Sequence, residues 1–505
     1  MVSSRFNIRI SRFVFALLLG GCSQGPANET GNAGLRPIEQ AILTDEQSFY
    51  YIDFDKYPSG NPELPIGIFD SGTGGLTVLD ALLRFDGHHN GNHSKGSDSR
   101  ADFGGEKFIY LADQANMPYG NYHSENKSGL LVEHVLKDVQ FLLGSKYYLN
   151  ENAAGPENSK QPVKALVIAC NTATAYAKED VENFIARTGT NLKVIGVIDA
   201  GAEGALEVFG KDSSGTIGVL ATVGTVASGG YQHTIERFIK ELGYTGNIRV
   251  ISQGGLGMAE AVDEETDYVN RYLSGPRENY RGPSFSHSEY KIEKALLDVY
   301  NFEYDDHRML CDPGNTGDCE LLQINSADNY MRYHLVSLME KLRNTPRAAP
   351  LKALVLGCTH YPYLTNTIRE VLDELYNYRQ NGGYRYRALM AENIRIIDPA
   401  ENVARELYEY LAGEKLFNPG GSAAASEFYI SVPNKGNQEV KTDSLGRFTY
   451  AYKYGREEGR VQEYVKIVPF SRTNIPSETI ERLKAIVPAV YELIGPFRNS
   501  AHPVH

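Results

Sequence analysis

The chain repeats itself, and that repetition limits its fold more than any other feature. Pro162 to Cys170 reads P-V-K-A-L-V-I-A-C, and Pro350 to Cys358 reads P-L-K-A-L-V-L-G-C. A second pair precedes these strings: I-G-I-F-D-S-G-T-G-G from Ile66 and I-G-V-L-A-T-V-G-T from Ile217. A third follows: V-I-G-V-I-D-A-G from Val194 and I-R-I-I-D-P-A from Ile394. Three matched pairs in one order imply two duplicated domains. All six strings are short apolar runs without alternation, which is how strands buried on both faces of a parallel sheet read. The expected fold is therefore α/β: two duplicated domains, each a mostly parallel sheet flanked by helices, facing across a central cleft. Helix-like stretches such as Gly74 to Arg84 and Thr365 to Asn377 would supply the crossovers.

In such sheets ligands lie beyond the carboxyl ends of the strands. That rule puts Asp70, Ser71, Cys170, Asn171, Thr172, Thr222, Thr225, Cys358, Thr359 and His360 at ligand-facing positions, with Cys170 and Cys358 on opposite sides of one bound molecule. Two thiols so placed suit the inversion of a stereocentre. One removes the α-proton from one face as thiolate, while the other donates a proton to the opposite face as thiol. Asp70 and His360 are candidates to tune the two thiols, and the hydroxyls and amide nearby suit an amino group and carboxylates. Other readings of the same residues are weaker. A dinucleotide loop at D-S-G-T-G-G-L meets Thr77 where a third glycine belongs, and Asp70 would oppose a phosphate. Zinc ligation by the cysteines lacks further ligands at recognisable spacing. His88, His89 and His93 stand in a run of Gly, Asn and Ser, where a solvated insertion is expected. Lys164 and Lys352 begin their strands, roughly 20 Å from the cysteines at about 3.3 Å per residue, too far to form a Schiff base there.

Charge narrows the partners. With 50 basic and 63 acidic residues the net charge is −13, which disfavours nucleic acid or an anionic lipid surface as the main partner. No apolar run reaches the 18 residues that a membrane-spanning helix needs. The only membrane link expected is an anchor. Arg5, Arg9 and Arg12 precede the short apolar stretch Phe13 to Leu19, then Gly20, Gly21 and Cys22, in the order of an export signal. The string L-L-L-G-G-C resembles the lipobox of bacterial lipoproteins, which implies lipidation at Cys22. The expected organisation is a signal peptide over 1–22 and a tether over 23–60. Domain A then covers 61–212 and is completed by 394–497; domain B covers 213–393 with an insertion at about 267–347. Further insertions are expected at about 86–106 and 414–460. Cys311 and Cys319 bracket Pro313, Gly314, Asn315 and Gly317, a composition that favours reversal, and in an oxidising compartment they are expected to form a disulfide.

The motifs together resemble one family. D-S-G-T-G-G-L at Asp70, L-A-D-Q-A-N-M-P-Y-G ending at Gly120, A-C-N-T-A at Ala169 and G-C-T-H-Y-P at Gly357 look like the successive signatures of glutamate racemases, over most of 64–406. The resemblance implies a racemase that needs neither organic cofactor nor metal. It implies Cys170 as the base for the D-enantiomer and Cys358 as the base for the L-enantiomer, with Asp70 and His360 assisting. It makes Ser71, Pro118, Tyr119, Gly120, Asn171, Thr172, Thr222, Thr225 and Thr359 substrate-contacting, Asp113 a cleft acid, and Glu260 a further site carboxylate, although glycines replace the family's apolar residues before Glu260. The expected partner is a small acidic amino acid, glutamate first and aspartate or another acid second. A homodimer stays open. The competing class is a silent lipoprotein that only binds amino acids or cell-wall peptides, and it predicts a lost cysteine or a lost Asp70, which this chain retains. The family normally feeds cytoplasmic cell-wall precursor synthesis, whereas the export signal points to a lipid-anchored protein of the cell envelope, or to a cytoplasmic one if the signal reading is wrong.

Overall fold

The computed structural model describes residues 34–312, 319–495 and Phe497. Its centre is two parallel sheets of the same design. The first four strands are β1 (Ile66–Asp70), β2 (Phe108–Ala112), β3 (Ala165–Ile168) and β4 (Lys193–Gly196), adjacent in the order β2-β1-β3-β4. The next are β5 (Gly215–Ala221), β6 (Ile248–Gly254), β7 (Leu351–Gly357) and β8 (Met390–Ile397), in the order β6-β5-β7-β8. The central strands β1, β3, β5 and β7 are buried almost throughout, as unalternated Val, Ile and Leu runs require. The first sheet extends beyond β2 through β9 (Glu427–Pro433), parallel to β2, and β10 (Val465–Pro469), antiparallel to β9. The fold class expected from the repeated strings is the one observed.

Each strand of the repeat leads into a helix: α1 (Leu76–Arg84), α2 (Ser128–Leu143), α3 (Asn171–Thr188), α4 (Val197–Leu206), α5 (Gly230–Glu241), α6 (Ala327–Arg343), α7 (Thr365–Asn377) and α8 (Pro399–Glu414). The last helix of each repeat is exchanged. Ala202, Ala205 and Leu206 of α4 pack with Ile217, Val219 and Val355 of the second sheet, whereas Val403, Leu407 and Leu411 of α8 join the core of the first. The two helices touch where Gly204 meets Asn402, whose amide donates to Ala200 O at 2.7 Å. This exchange joins the two sheets as one body with their carboxyl ends toward a shared space.

Several expected boundaries move. Chain from Arg36 onward is folded rather than tether: Ile38 and Ile42, one turn apart on the helix Pro37–Leu43, are buried in the first core, and Arg36 pairs with Asp180 and Glu458. The second-domain insertion ends before 327, because α6 is the crossover helix that corresponds to α2, with Leu335, Leu338 and Met339 in the core. Residue 394 lies inside β8, so the chain leaves the second sheet only after Ile397. His88 is not solvated but stacks on Tyr408 at 3.8 Å between ring centroids, and His93 bonds to the same tyrosine's hydroxyl at 2.7 Å. Cys311 and Cys319 are bonded, with Cα atoms 5.6 Å apart, across the antiparallel pair Met309–Cys311 and Leu322–Ile324. The signal segment with Cys22, and the turn at 313–318, lie outside the described residues. Among the described residues no helix is long and apolar enough to cross a membrane.

Candidate active site

The strand ends of both repeats open on one cavity, lined by Asp70, Ser71, Pro118, Tyr119, Gly120, Cys170, Asn171, Thr172, Thr222, Glu260, Cys358, Thr359 and His360. The duplicated cysteines therefore meet at one site, as the paired strings require. Cys170 directly precedes α3 and caps it, its sulfur accepting from Ala173 N at 3.5 Å. Cys358 follows β7 at the equivalent position of the second repeat. Both thiols are free and buried.

The glycine-rich segment after β1 exists for close approach, not for a phosphate. A Cβ on Gly74 would lie 2.7 Å from Thr359 Oγ1 and from the His360 ring, so the first repeat lies flush against the second at the site. Asp70 turns back into this segment, accepting from Gly75 N at 2.7 Å and from Thr359 Oγ1 at 3.2 Å, while its Oδ1 is buried without a partner. The glycines before Glu260 have a similar cause: the Tyr361 hydroxyl occupies the space a Cβ on Gly255 would need.

The two thiols sit in different electrostatic surroundings. Burial and the charge of Asp70 push the Cys170 thiol up, against the weaker pull of Ala173 N–H and Ser71; its proton points to Ser71 Oγ at 3.8 Å. Cys358 has a cation beside it instead. Its sulfur is 3.5 Å from His360 Nδ1, and His360 Nε2 is 3.1 Å from Asp263 Oδ2. Burial pulls the imidazole down, but the charges of Asp263 and Cys358 outweigh it and hold His360 well above the usual histidine value. Asp263 is also held by Arg482 at 2.7 Å, from the helix Ser477–Ile486. Burial raises Asp263 less than His360 and Arg482 lower it, so it stays ionised. Glu260 has no such support, and burial pushes it up to about 7.

Two expected contacts take other places. Thr225 stands behind the cavity wall, bonding Thr222 Oγ1 at 2.9 Å and Thr172 Oγ1 at 3.2 Å, and so orients the hydroxyls that do line it. Asp113 is not a cleft acid: it is buried beyond Tyr119, whose hydroxyl is 2.6 Å from Asp113 Oδ2 and 2.8 Å from Asp138 Oδ2. The motifs missed Asp263 and Arg482. Asp263 follows Glu260 by three residues at the end of the short helix Met258–Val262, a spacing that brings two carboxylates to one side. Arg482 carries no local signal, because its role exists only once the C-terminal helix has docked.

No family model matches the chain. Among curated proteins it is similar to the glutamate racemase of Oceanobacillus iheyensis, 25% identical over 72% of this chain and 86% of that one. It is similar also to the glutamate racemase of Ralstonia nicotianae, 27% identical over 73% and 85%. Among solved structures, a glutamate racemase isoform from Bacillus anthracis is 21% identical, covering 73% of this chain and 88% of that one at a TM-score of 0.41.

Proposed function

We infer the reaction from the premise that this chain belongs to the glutamate racemase family and is an amino-acid racemase. The reaction we assign interconverts L- and D-glutamate by proton transfer between Cys170 and Cys358. The observation that carries it is the pair of free thiols at equivalent strand ends in one cavity, with a histidine–aspartate pair beside one of them and not the other. His360, protonated, offers Nδ1–H to Cys358 and Nε2–H to Asp263, so Cys358 acts as thiolate on the α-proton of L-glutamate. Cys170 keeps its proton and delivers it to the opposite face. Asp70 Oδ1, buried without a partner, is the acceptor available to the substrate's ammonium. The N–H groups at the start of α3 suit a carboxylate.

The test is racemisation in heavy water by purified protein lacking residues 1–22, assayed with both enantiomers of glutamate and aspartate. D-glutamate formed from L-glutamate should carry deuterium at the α-carbon while recovered L-glutamate gains little early on. Equal early labelling of both enantiomers would mean a single base and end the two-thiol reading.

Asp263 acts through His360, and the pH profile reports that role. Asp263→Asn removes the charge that holds the imidazolium, so the thiolate loses support. The acid limb of kcat/KM should move to higher pH, while Asp263→Glu should restore most of the original profile. An unshifted limb in Asp263→Asn would mean that the contact is structural only.

We further propose that the protein is exported and lipid-anchored at Cys22, which the Cys311–Cys319 bridge supports because such bonds persist in oxidising compartments. Wild-type protein should partition with membranes and Cys22→Ala should not be lipidated. Denatured without reduction, the mature protein should show two reactive thiols, those of Cys170 and Cys358. Four, or a soluble cytoplasmic wild-type protein, would refute export.

A further inference from the structure

A second cavity, similar in extent to the catalytic one, lies beyond Tyr119 from it. Tyr119 lines the catalytic cavity, and its hydroxyl bonds to Asp113 and Asp138, which line the second. The walls come from α2, from the folded N-terminal segment at Phe49 and Tyr50, and from the stretch between β9 and β10 with β10 itself. Phe49, Tyr50, Phe141, Tyr147, Tyr148 and Tyr464 give this lining its aromatic faces. Against it stands Arg456, only 6% exposed, whose guanidinium lies over the rings of Phe448, Tyr452 and Tyr464.

Among the described residues Arg456, a buried cation, makes no ion pair. Its bonds go to neutral acceptors: Lys453 O at 3.2 Å, Asn116 Oδ1 at 2.7 Å and the Tyr122 hydroxyl at 3.4 Å. Asp113 is joined to it only through the Asn116 amide, at 2.9 and 3.0 Å. Its Nη1 has no partner, and neither has Nε2 of His134, another lining residue. Buried charges are normally paired and buried donors normally satisfied, so the missing element is an anion. Neither carboxyl nearby contacts Arg456: the charge of Asp113 reaches it only across the Asn116 amide, and Asp138 carries no charge. One Tyr119 proton serves two carboxyls, so one of these must itself be protonated, and Asp138, raised well above the usual range by burial and by the charge of Asp113, is that one.

We propose that this cavity binds a small monocarboxylate with a flat apolar body as an effector, its carboxylate on Arg456 and its body among Tyr50, Tyr148 and Tyr464. The size follows from the catalytic cavity, which is of similar extent. The coupling follows from the contacts of the Arg456 segment with the loop that lines the catalytic cavity: Lys453 Nζ donates to Met117 O, and the Tyr454 hydroxyl to Pro118 O at 3.3 Å. The effect on rate rests on the proposed racemase activity; binding does not.

The experiment is calorimetric titration of the protein lacking residues 1–22 with benzoate, in the presence of saturating D-glutamate, with inorganic phosphate as the second probe. Benzoate is expected to bind with the catalytic cavity filled and to change the KM or kcat of racemisation. Arg456→Gln should weaken it at least tenfold. Lys146→Met, at the partly exposed side of the cavity, should weaken it severalfold, and it decides the matter if Arg456→Gln does not fold. Failure of benzoate to bind at millimolar concentration, its displacement by D-glutamate, or unchanged affinity in the variants would overturn the proposal. Phosphate binding with the same dependence on Arg456, and no benzoate binding, would show a bare anion site and would also overturn it. Benzoate binding to a protein without racemase activity would leave the site standing and remove the function proposed above.

Discussion

Cys170→Ser and Cys358→Ser should each lower racemisation by two to four orders of magnitude, the range expected when a positioned acid or base is lost. Serine keeps the shape and most of the hydrogen bonding, so the fold should survive, but its hydroxyl neither ionises nor returns a proton as a thiol does. The two variants should differ in what they retain. Cys358→Ser keeps the thiol on the D face, so it should still exchange the α-hydrogen of D-glutamate with heavy water without forming the L-enantiomer; Cys170→Ser should do the same for L-glutamate alone. The asymmetry between the thiols has to be sought there. Enantiomers have equal free energy, so kcat/KM must match in the two directions at every pH, whatever the environment of each thiol. Either variant retaining racemisation within tenfold of wild type would remove its cysteine from the mechanism.

The second large effect comes from a single methyl group. Gly74→Ala places a Cβ 2.7 Å from Thr359 Oγ1 and from the His360 ring, neither of which can retreat freely. His360 is held by Asp263, and Thr359 by Asp70. Overpacking of this kind costs about 1–3 kcal/mol, which a domain of this size survives. Displacing the imidazole by about 1 Å is worth about 10²-fold in rate. The variant should therefore be folded by circular dichroism and at least 50-fold slower, on the order of the loss a small misplacement brings, while Gly155→Ala, with no atom within 4 Å of its added Cβ, should behave as wild type. Full activity in Gly74→Ala would show that the two repeats do not close on each other here.

The order of the strands was legible because duplication leaves a trace in the sequence that survives independent drift of the surface. The strings ending at Cys170 and Cys358 differ at three of nine positions, and burial on both faces permits little but Val, Ile, Leu and Ala there. Since ligand positions follow strand ends, the same strings also located Asp70, the cysteines, Thr222 and His360. What escaped were places where the chain departs from the repeat. The segment from Arg36 looked like tether because two turns of helix, with Ile38 and Ile42 on one side, are too short to show a period. The insertion of the second domain absorbed α6 because the irregular chain before it obscures where the repeat resumes.

The sequence by itself thus determined the α/β class, the duplication and the meeting of two cysteines at one site, all of which rest on local pattern. Only the tertiary structure decided which thiol has a cation beside it. That depends on Asp263, on Arg482 from a helix more than 200 residues away in the chain, and on the exchange of α4 and α8 that brings the sheets face to face. The burial of Asp113 and Thr225 behind the residues that line the site was decided in the same way. The physical reason is that strand burial is written in successive residues, whereas an electrostatic environment is the sum of charges brought together from distant parts of the chain, and no window of sequence contains them all.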